Sequence, residues 1–426
     1  MIYTVHTLLG AMRDVLKSGD MDPCLEDILD IVVQEQFTAV SEEKEVGEIK
    51  AEVSEAKKNP TPGTLLLLGR YVSSSAVGVL LNRFMTVVDS LTSAKMISKA
   101  RNLLSMFGNG LKDNQGFAPA SQLIFIHQML VTNTEKMKTV TGNQKEPTDS
   151  EFLEEEHKSC LLLPPEPKRI GVLVKPVLKS RSHIFLEFAL QLLGALITGK
   201  HFDRNDPEHI KRLDPFVPLI IRSLEFKYEK EGARSIAVDL LAQISKIEKD
   251  AFAPHFRMVL PALRAIFASE SLFSNNSERT ISGICYGIAT MLQSMGEEAR
   301  EVFALEDFCA LFDSLEPLMK CEGSSAIRLS AASLIGQCLS HYDLAFFTPE
   351  RASELMGWCC WQLRDKQLAE NVALQASKIL MVISHHLTHE QFTTLVEKLA
   401  HICHFEISHQ PNLSLKVCFR SPQISN

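Results

Sequence analysis

The sequence lacks most of the features that identify membrane, secreted and nucleic-acid-binding proteins from composition alone. Its longest apolar stretch, near residues 184–198, contains Glu187 and is too short to span a bilayer. The N-terminus has no basic segment followed by an apolar run, so no signal peptide is predicted. The formal net charge is −8, which gives no global basic signature of nucleic-acid binding. We therefore predict a chain that is neither secreted nor bound to a membrane.

Motifs that carry enzyme chemistry are also missing. There is no G-x-x-x-x-G-K-[ST] phosphate loop, no G-x-S-x-G nucleophile elbow and no H-E-x-x-H zinc motif. Gly108, Gly110 and Gly116 are wrongly spaced for a dinucleotide-binding loop, and we interpret them as a helix end followed by a turn. The sequence therefore predicts no enzyme activity, no cofactor and no small-molecule substrate.

The cysteine and histidine patterns favour structural roles. None of the ten cysteines forms a C-x-x-C pair, and several, such as Cys285 and Cys338, occupy predicted helical core positions. Buried free thiols are typical of a reducing compartment, the cytosol or the nucleus. His385 and His389 have a spacing that can ligate zinc, but Thr388 predicts a helix start between them, so polar or capping roles are favoured over a metal site. The segment 358–361, Trp-Cys-Cys-Trp, is predicted to pack in a helix core.

What the sequence does have is a register that recurs in its second half. Five times a small residue is followed by large apolar residues three, four and seven places later, at intervals of 45–49 residues. Such offsets lie on one face of an α-helix, and a helical period of about 40–50 residues is typical of HEAT and armadillo repeats. We predict an all-α, HEAT/armadillo-like α-solenoid of antiparallel helix pairs, with the small residues buried where helices meet. The five copies are Ala189-Leu192-Leu193-Leu196, Ala237-Leu240-Leu241-Ile244, Ser282-Cys285-Tyr286-Ala289, Ala331-Leu334-Ile335-Cys338 and Ala376-Ile379-Leu380-Ile383.

Each recurring helix needs a partner, and helix start signals mark where the partners begin. Asp206-Pro207 and Thr348-Pro349 place a capping residue before a proline at the first helical position, and Thr388 to Gln391 has capping-box spacing. The predicted partner helices are 208–226, 252–268, 301–320, 349–364 and 388–404.

The whole chain divides into four predicted regions. Residues 1–131 form an N-terminal helical block, which includes a solvated helix near 42–58 that the segment 59–63, rich in proline, ends. Residues 132–167 are polar and proline-rich and are predicted to be a flexible insertion, with a plain linker favoured over a binding tail. Residues 168–405 are the HEAT-like repeats, and 406–426 an irregular tail.

One local cluster of charge gives a candidate contact for phosphate. Five basic residues lie within fourteen positions that contain no acid: Lys168, Arg169, Lys175, Lys179 and Arg181. Such a cluster can hold the phosphates of RNA, and a solvated helix face is the alternative. The solvated helix face is the favoured interpretation, and the phosphate contact is kept as the candidate site.

The N-terminal region resembles a segment of the DRIM family. The residues that carry the resemblance are GDMDPCLEDI at 19–28, EEKEVGEI at 42–49 and EAKKN at 55–59. That family comprises very large HEAT-repeat proteins of the small-subunit processome, associated with the U3 small nucleolar ribonucleoprotein. The resemblance extends over most of residues 1–405, and family members are several times longer, so the chain is expected to be a fragment or a short isoform.

The resemblance implies a nucleolar scaffold that supports processing of pre-18S ribosomal RNA and assembly of the small ribosomal subunit. It implies processome proteins, pre-ribosomal RNA and the U3 ribonucleoprotein as partners, and a non-catalytic role. Since HEAT-like spacing alone occurs in many classes, the alternative is a helical-repeat adaptor such as a transport receptor or a subunit of a signalling complex.

Overall fold

The chain is helical throughout the part that the structure describes. The computed structural model describes residues 1–37, 59–91, 94–142, 181–199, 202–225, 232–267, 277–296, 305–321, 324–341, 349–364 and 370–409. Within these residues every regular element is an α-helix or a short 3₁₀-helix, so the predicted all-α class is confirmed. The α-helices are α1 Ile2–Met12, α2 Leu25–Phe37, α3 Thr61–Tyr71, α4 Ser74–Ser90, α5 Ala94–Lys112, α6 Pro119–Gly142, α7 Ser182–Thr198, α8 Pro207–Lys211, α9 Val217–Glu225, α10 Gly232–Glu248, α11 Ala253–Phe267, α12 Ser277–Ser294, α13 Leu305–Met319, α14 Ser325–His341, α15 Pro349–Arg364, α16 Glu370–Ile383 and α17 His389–His409.

The helices cluster into two compact units, Met1–Ile236 and Ala237–Asn426, with the boundary inside α10. In unit 1, helices α1, α3, α5 and α7 pack in succession, while α2 packs on α4 and α6 packs on both α7 and α9. This is the layered stacking of helix pairs that a repeat protein uses to bury faces that a single pair leaves open.

Unit 2 repeats the arrangement more regularly. Helices α12, α14 and α16 lie side by side, and each packs against the helix that precedes it: α11, α13 and α15 respectively. The second layer is continued by contacts of α11 with α13 and of α15 with α17. The predicted α-solenoid of antiparallel helix pairs is therefore present, and the partner helix predicted at 349–364 has the observed bounds of α15.

The small residues of four copies of the register lie where the helices meet. Ala189, Ala237, Ala331 and Ala376 are each 0 % exposed, and the large residues that follow them are buried too. A larger side chain at such a position would overpack the contact at a cost of about 1–3 kcal/mol. The prediction of buried alanines at helix contacts is confirmed.

The third copy of the register is buried only in part: Cys285 and Ala289 lie in the core, whereas its other two positions do not. Tyr286 is 66 % exposed and Ser282 is half-buried, whereas Ile281, Ile284 and Ile288 are fully buried. The close approach in α12 is made at Gly287, where an added Cβ atom would lie 2.3 Å from Cγ1 of Val238 in α10. The buried stripe of α12 runs through Ile281, Ile284, Cys285 and Ile288, so it begins one residue earlier than predicted and with a large residue instead of a small one.

Two glycines allow the backbones of α3 and α5 to touch. An added Cβ atom on Gly110 would lie 2.1 Å from the carbonyl oxygen of Leu66, and one on Gly69 would lie 2.4 Å from that of Phe107. Both glycines are inside helices, as is Gly108, so the predicted helix end at Gly108 and Gly110 is wrong. Their conformational cost is offset by packing that a side chain would prevent.

The turn after α5 is held by a buried amide. Asn114 is 2 % exposed, and its Nδ2 group donates to the carbonyl oxygens of Gly69 (2.9 Å) and Val72 (2.7 Å) at the end of α3. Its Oδ1 atom accepts from the backbone N–H of Gly116 at 2.9 Å, so the predicted turn at Gly116 is present. Asn114 thereby satisfies carbonyl groups that a helix leaves unpaired at its C-terminal end.

Helix boundaries differ from prediction at several places. Helix α6 runs to Gly142, so the boundary predicted at Thr132 is too early: Asn133, Thr134 and Met137 are buried despite the polar composition. The segment 59–63 begins helix α3 rather than only ending its predecessor, since a proline fits the first turn. The predicted helix 208–226 is divided into α8, a 3₁₀-turn at Asp214–Phe216 and α9, where Pro215 interrupts the helix. Helix α17 runs to His409, so the start of the irregular tail predicted at residue 406 is too early. The predicted helix at 42–58, residues 143–167 and residues 410–426 lie outside the described residues.

Candidate nucleic-acid interface

The predicted basic cluster leads into the first turn of α7. Lys168, Arg169, Lys175 and Lys179 lie outside the described residues, and Arg181 is the N-cap residue of α7. Arg181 is therefore the described part of the cluster, and the phosphate contact of the other four residues stays a prediction.

Arg181 is buried rather than presented to solvent. Its side chain is 8 % exposed overall, and the guanidinium group donates to the carbonyl oxygen of Leu91, the residue that caps α4. The backbone N–H of Arg181 donates to Oδ1 of Asp89 at 3.3 Å. A cation at the carbonyl end of a helix is electrostatically favourable. Arg181 therefore joins the start of α7 to the end of α4, a role that the sequence analysis missed.

A second titratable group, His183, is buried beside this junction. The side chain is 6 % exposed, and burial first, then the positive charges of Arg101 and Arg181, lower its pKa from 6.5 to about 4. Nε of Arg101 lies 3.6 Å from Oε2 of Glu187 on α7, which partly compensates the positive charge. At neutral pH His183 is therefore an uncharged side chain in a cationic environment.

The lowered pKa of His183 predicts a specific loss of stability in mild acid. The unfolded chain binds a proton at His183 near pH 6.5, whereas the folded chain resists it down to about pH 4, so stability falls as the pH drops through this window. The full shift corresponds to a loss on the order of 3 kcal/mol. Urea denaturation at pH 7 and pH 4.5 should show this difference, and His183→Gln should reduce it.

The exposed His385 provides the matched control for that experiment, since His385→Gln also removes one histidine. An equal pH dependence in His183→Gln and in the unmodified chain would contradict the assignment.

The start of α7 is further fixed by aromatic packing on α5. The rings of Phe188 and Phe107 are stacked with centroids 6.4 Å apart, and an added Cβ atom on Gly108 would lie 3.1 Å from Cε2 of Phe188. Helix α7 is almost entirely buried, from Ser182 to Ile197. The predicted basic cluster thus leads directly into a helix that is held firmly in unit 1.

The cysteine and histidine groups singled out in the sequence lie mainly in structural settings. Cys285 and Cys338 are buried, and burial raises the pKa of each thiol to about 12, which keeps both protonated. The predicted capping box is confirmed: the backbone N–H of Thr388 donates to Oε1 of Gln391 at 3.0 Å, and the N–H of Gln391 donates to Oγ1 of Thr388 at 3.3 Å.

Among the described helices, none combines the length and apolar composition needed to span a bilayer.

Stacked helix pairs with buried small residues at their contacts define the class: a HEAT-like helical-repeat protein. Family models of known proteins match both parts of the chain. Residues 1–130 match the model described as the U3 small nucleolar RNA-associated protein 20 domain, and residues 233–421 match the model described as small subunit processome component 20 homolog, C-terminal. Together these matches extend over more than half of the sequence. The chain belongs to the family of U3 small nucleolar RNA-associated protein 20, which confirms the resemblance drawn from residues 19–59.

Curated relatives carry the same description. U3 small nucleolar RNA-associated protein 20 of Schizosaccharomyces pombe is 29 % identical over 147 residues, which is 34 % of this chain and 6 % of the relative. Its counterpart in Saccharomyces cerevisiae is 24 % identical over 378 residues, 80 % of this chain and 14 % of the relative. The chain thus spans a small part of the length of either relative.

Solved structures have low similarity to the chain. The crystal structure of Kap121p has a TM-score of 0.42 and 12 % identity, over 93 % of this chain and 37 % of that one. An engineered protein from the Northeast Structural Genomics Consortium has a TM-score of 0.41 and 15 % identity, over 97 % of this chain and 96 % of that one. The fold class rests on the described helices themselves and not on these values.

Proposed function

We propose that the chain is a non-catalytic helical-repeat scaffold of the small-subunit processome that supports pre-18S ribosomal RNA processing and small ribosomal subunit assembly. The observation that carries the proposal is the pair of family matches, which name the U3 small nucleolar RNA and the small-subunit processome. The proposed location is the nucleolus, and the proposed partners are processome proteins together with pre-ribosomal RNA and the U3 ribonucleoprotein.

The fold supports a scaffold role in physical terms. A stack of helix pairs exposes an extended surface instead of a single enclosed cleft, and such surfaces suit several partners bound at once. Cys285, Cys338 and Cys359 are buried, and burial raises the pKa of each thiol, which is the opposite of what a nucleophilic cysteine needs.

Co-sedimentation tests the proposal. The tagged chain, expressed in cells, should be recovered from nuclear extract in fractions that contain pre-ribosomal particles, together with U3 RNA and pre-18S RNA. The tag fused to an unrelated helical protein of similar size is the control. Recovery only in the light fractions, without either RNA, would contradict the proposal and favour the adaptor alternative.

The basic cluster is the proposed local contact for RNA within this function. Four side chains are proposed to hold phosphates: Lys168, Arg169, Lys175 and Lys179. Each phosphate contact removed lowers the slope of binding against salt by about one. We expect the triple change Lys168→Ala, Lys175→Ala and Lys179→Ala to weaken binding to a pre-18S RNA fragment and to reduce that slope by about two to three.

Arg181 is left out of the triple variant because its guanidinium group is buried against Leu91. The matched control changes three exposed lysines on described helices, Lys211, Lys246 and Lys398, to alanine. Filter binding at two salt concentrations measures the slopes. Equal slopes for the test and control variants would indicate that the cluster is a solvated surface that does not contact RNA.

A further inference from the structure

A groove lies between α13 and α15 in unit 2. Its volume is about 450 Å³, which is within the range of pockets that bind small groups or side chains. The lining combines aromatic and aliphatic side chains with charged ones: Phe312, Glu316, Met319, Lys320, Glu354, Leu355, Trp358 and Trp361. Both tryptophans of the chain belong to this groove.

The two tryptophans have different roles in the groove. Trp358 is 6 % exposed, and its Nε1–H donates to the carbonyl oxygen of Met319 at 2.8 Å, which fixes α15 against the end of α13. Trp361 lies three residues further along the same face and is 39 % exposed, so the predicted core position is wrong for this residue. A half-exposed indole next to a fixed one is a contact surface of the kind that dominates protein–protein binding energy.

The mouth of the groove is acidic. Helix α13 contains four acidic residues and no basic one. Glu316 pairs with Lys320, and this hydrogen bond is the main cause that raises the pKa of the Lys320 ammonium group, with a smaller Coulombic contribution from Glu354. Arg351 on α15 forms an ion pair with Asp313 on α13, with 3.5 Å between Nη2 and Oδ1. Glu354 is exposed, on the same helical face as both tryptophans.

This combination selects a cation with a flat face. A guanidinium group stacks on an indole ring and forms a bidentate pair with a carboxylate, whereas a phosphate would be repelled by Glu354. Lys320 neutralises Glu316 but leaves the mouth with the further negative charge of Glu354. We propose that the groove binds a basic protein segment that inserts an arginine side chain between Trp361 and Glu354.

Intrinsic fluorescence tests the proposal directly, because the only two tryptophans of the sequence line the groove. The probe is the peptide acetyl-Gly-Arg-Gly-Arg-Gly-amide, and the same peptide with glutamine in place of arginine is its neutral counterpart. We expect a saturable change in tryptophan emission with the arginine peptide and none with the glutamine peptide. Equal changes with both peptides would overturn the proposal.

Two variants identify the groups that bind. Glu354→Gln and Trp361→Leu should each weaken the arginine peptide at least tenfold, and Trp358 remains as the reporter in both. The control is Glu397→Gln on α17, an exposed acid with the same change of charge that does not line the groove. Unchanged affinity in Glu354→Gln, with circular dichroism showing a folded chain, would overturn the proposal.

An oligouridylate of ten nucleotides is the third probe and separates protein binding from RNA binding at this site. A saturable emission change with the oligouridylate, and none with the arginine peptide, would replace the proposed protein segment by RNA. The proposal concerns a protein-binding surface beyond the processome role, and the fluorescence titration uses the purified chain alone, so its outcome is independent of the co-sedimentation experiment.

Discussion

Gly110→Ala is expected to lower the free energy of unfolding by about 2–3 kcal/mol, even though alanine is the better helix former. The new Cβ atom would lie 2.1 Å from the carbonyl oxygen of Leu66 and 3.0 Å from Cα of Gly69. Both are backbone atoms, so relief requires α3 and α5 to separate rather than a side chain to rotate. Urea denaturation followed by circular dichroism measures the effect.

The same substitution at Gly78 supplies a control with the opposite sign. Gly78 lies inside α4, and an added Cβ atom there would meet nothing within 4 Å. Gly78→Ala should therefore raise stability by about 0.5–1 kcal/mol through helix propensity alone. If both variants gained stability, the close contact between α3 and α5 would be contradicted.

Asn114→Asp should lower the free energy of unfolding by about 3–5 kcal/mol, although it changes only the amide nitrogen to an oxygen. The carboxylate would be buried against the carbonyl oxygens of Gly69 and Val72, and both would lose the hydrogen bond that the amide now donates. A lower midpoint of thermal unfolding and a reduced free energy in urea are the expected readouts.

Asn109→Asp is the matched control for this change. Asn109 is exposed on α5, so the same chemical substitution should change stability by no more than about 0.5 kcal/mol. Similar losses for the two variants would mean that the added negative charge, and not the lost hydrogen bonds, dominates the effect.

The repeat architecture was predictable because its cause is periodic. Ala189, Ala237, Ala331 and Ala376 occur at regular intervals with apolar residues on the same helical face, and the physics of helix packing requires that pattern to be buried. The prediction that Ser282 and Tyr286 are buried is wrong, because the buried face of α12 begins one residue earlier. Where two adjacent faces both carry apolar residues, spacing alone does not decide between them.

Features that depend on contacts distant in the sequence were not predictable in the same way. Gly110 was interpreted as a helix end because glycine is usually a local signal, whereas its actual role depends on Leu66 in another helix. Asn114 and Arg181 act on carbonyl groups at the ends of α3 and α4, and nothing in their own neighbourhood reveals those partners.

The same difference between local sequence features and contacts distant in the sequence applies to the two candidate sites. A cluster of lysines between 168 and 179 is visible from composition, and its RNA contact stays a prediction. The groove of unit 2 was missed because it joins Glu316 on α13 to Trp361 on α15, and because the segment 358–361 was interpreted as uniformly buried.

The burial of Cys285 and Cys338 makes the chain a reporter of its own local unfolding. A thiol with a pKa of about 12 inside a helix stack reacts with an alkylating reagent only after its helix has opened to solvent. The labelling rates of these two thiols therefore measure how often α12 and α14 open under native conditions. Cys24 is exposed in unit 1 and supplies the reference rate for the reagent on the same molecule.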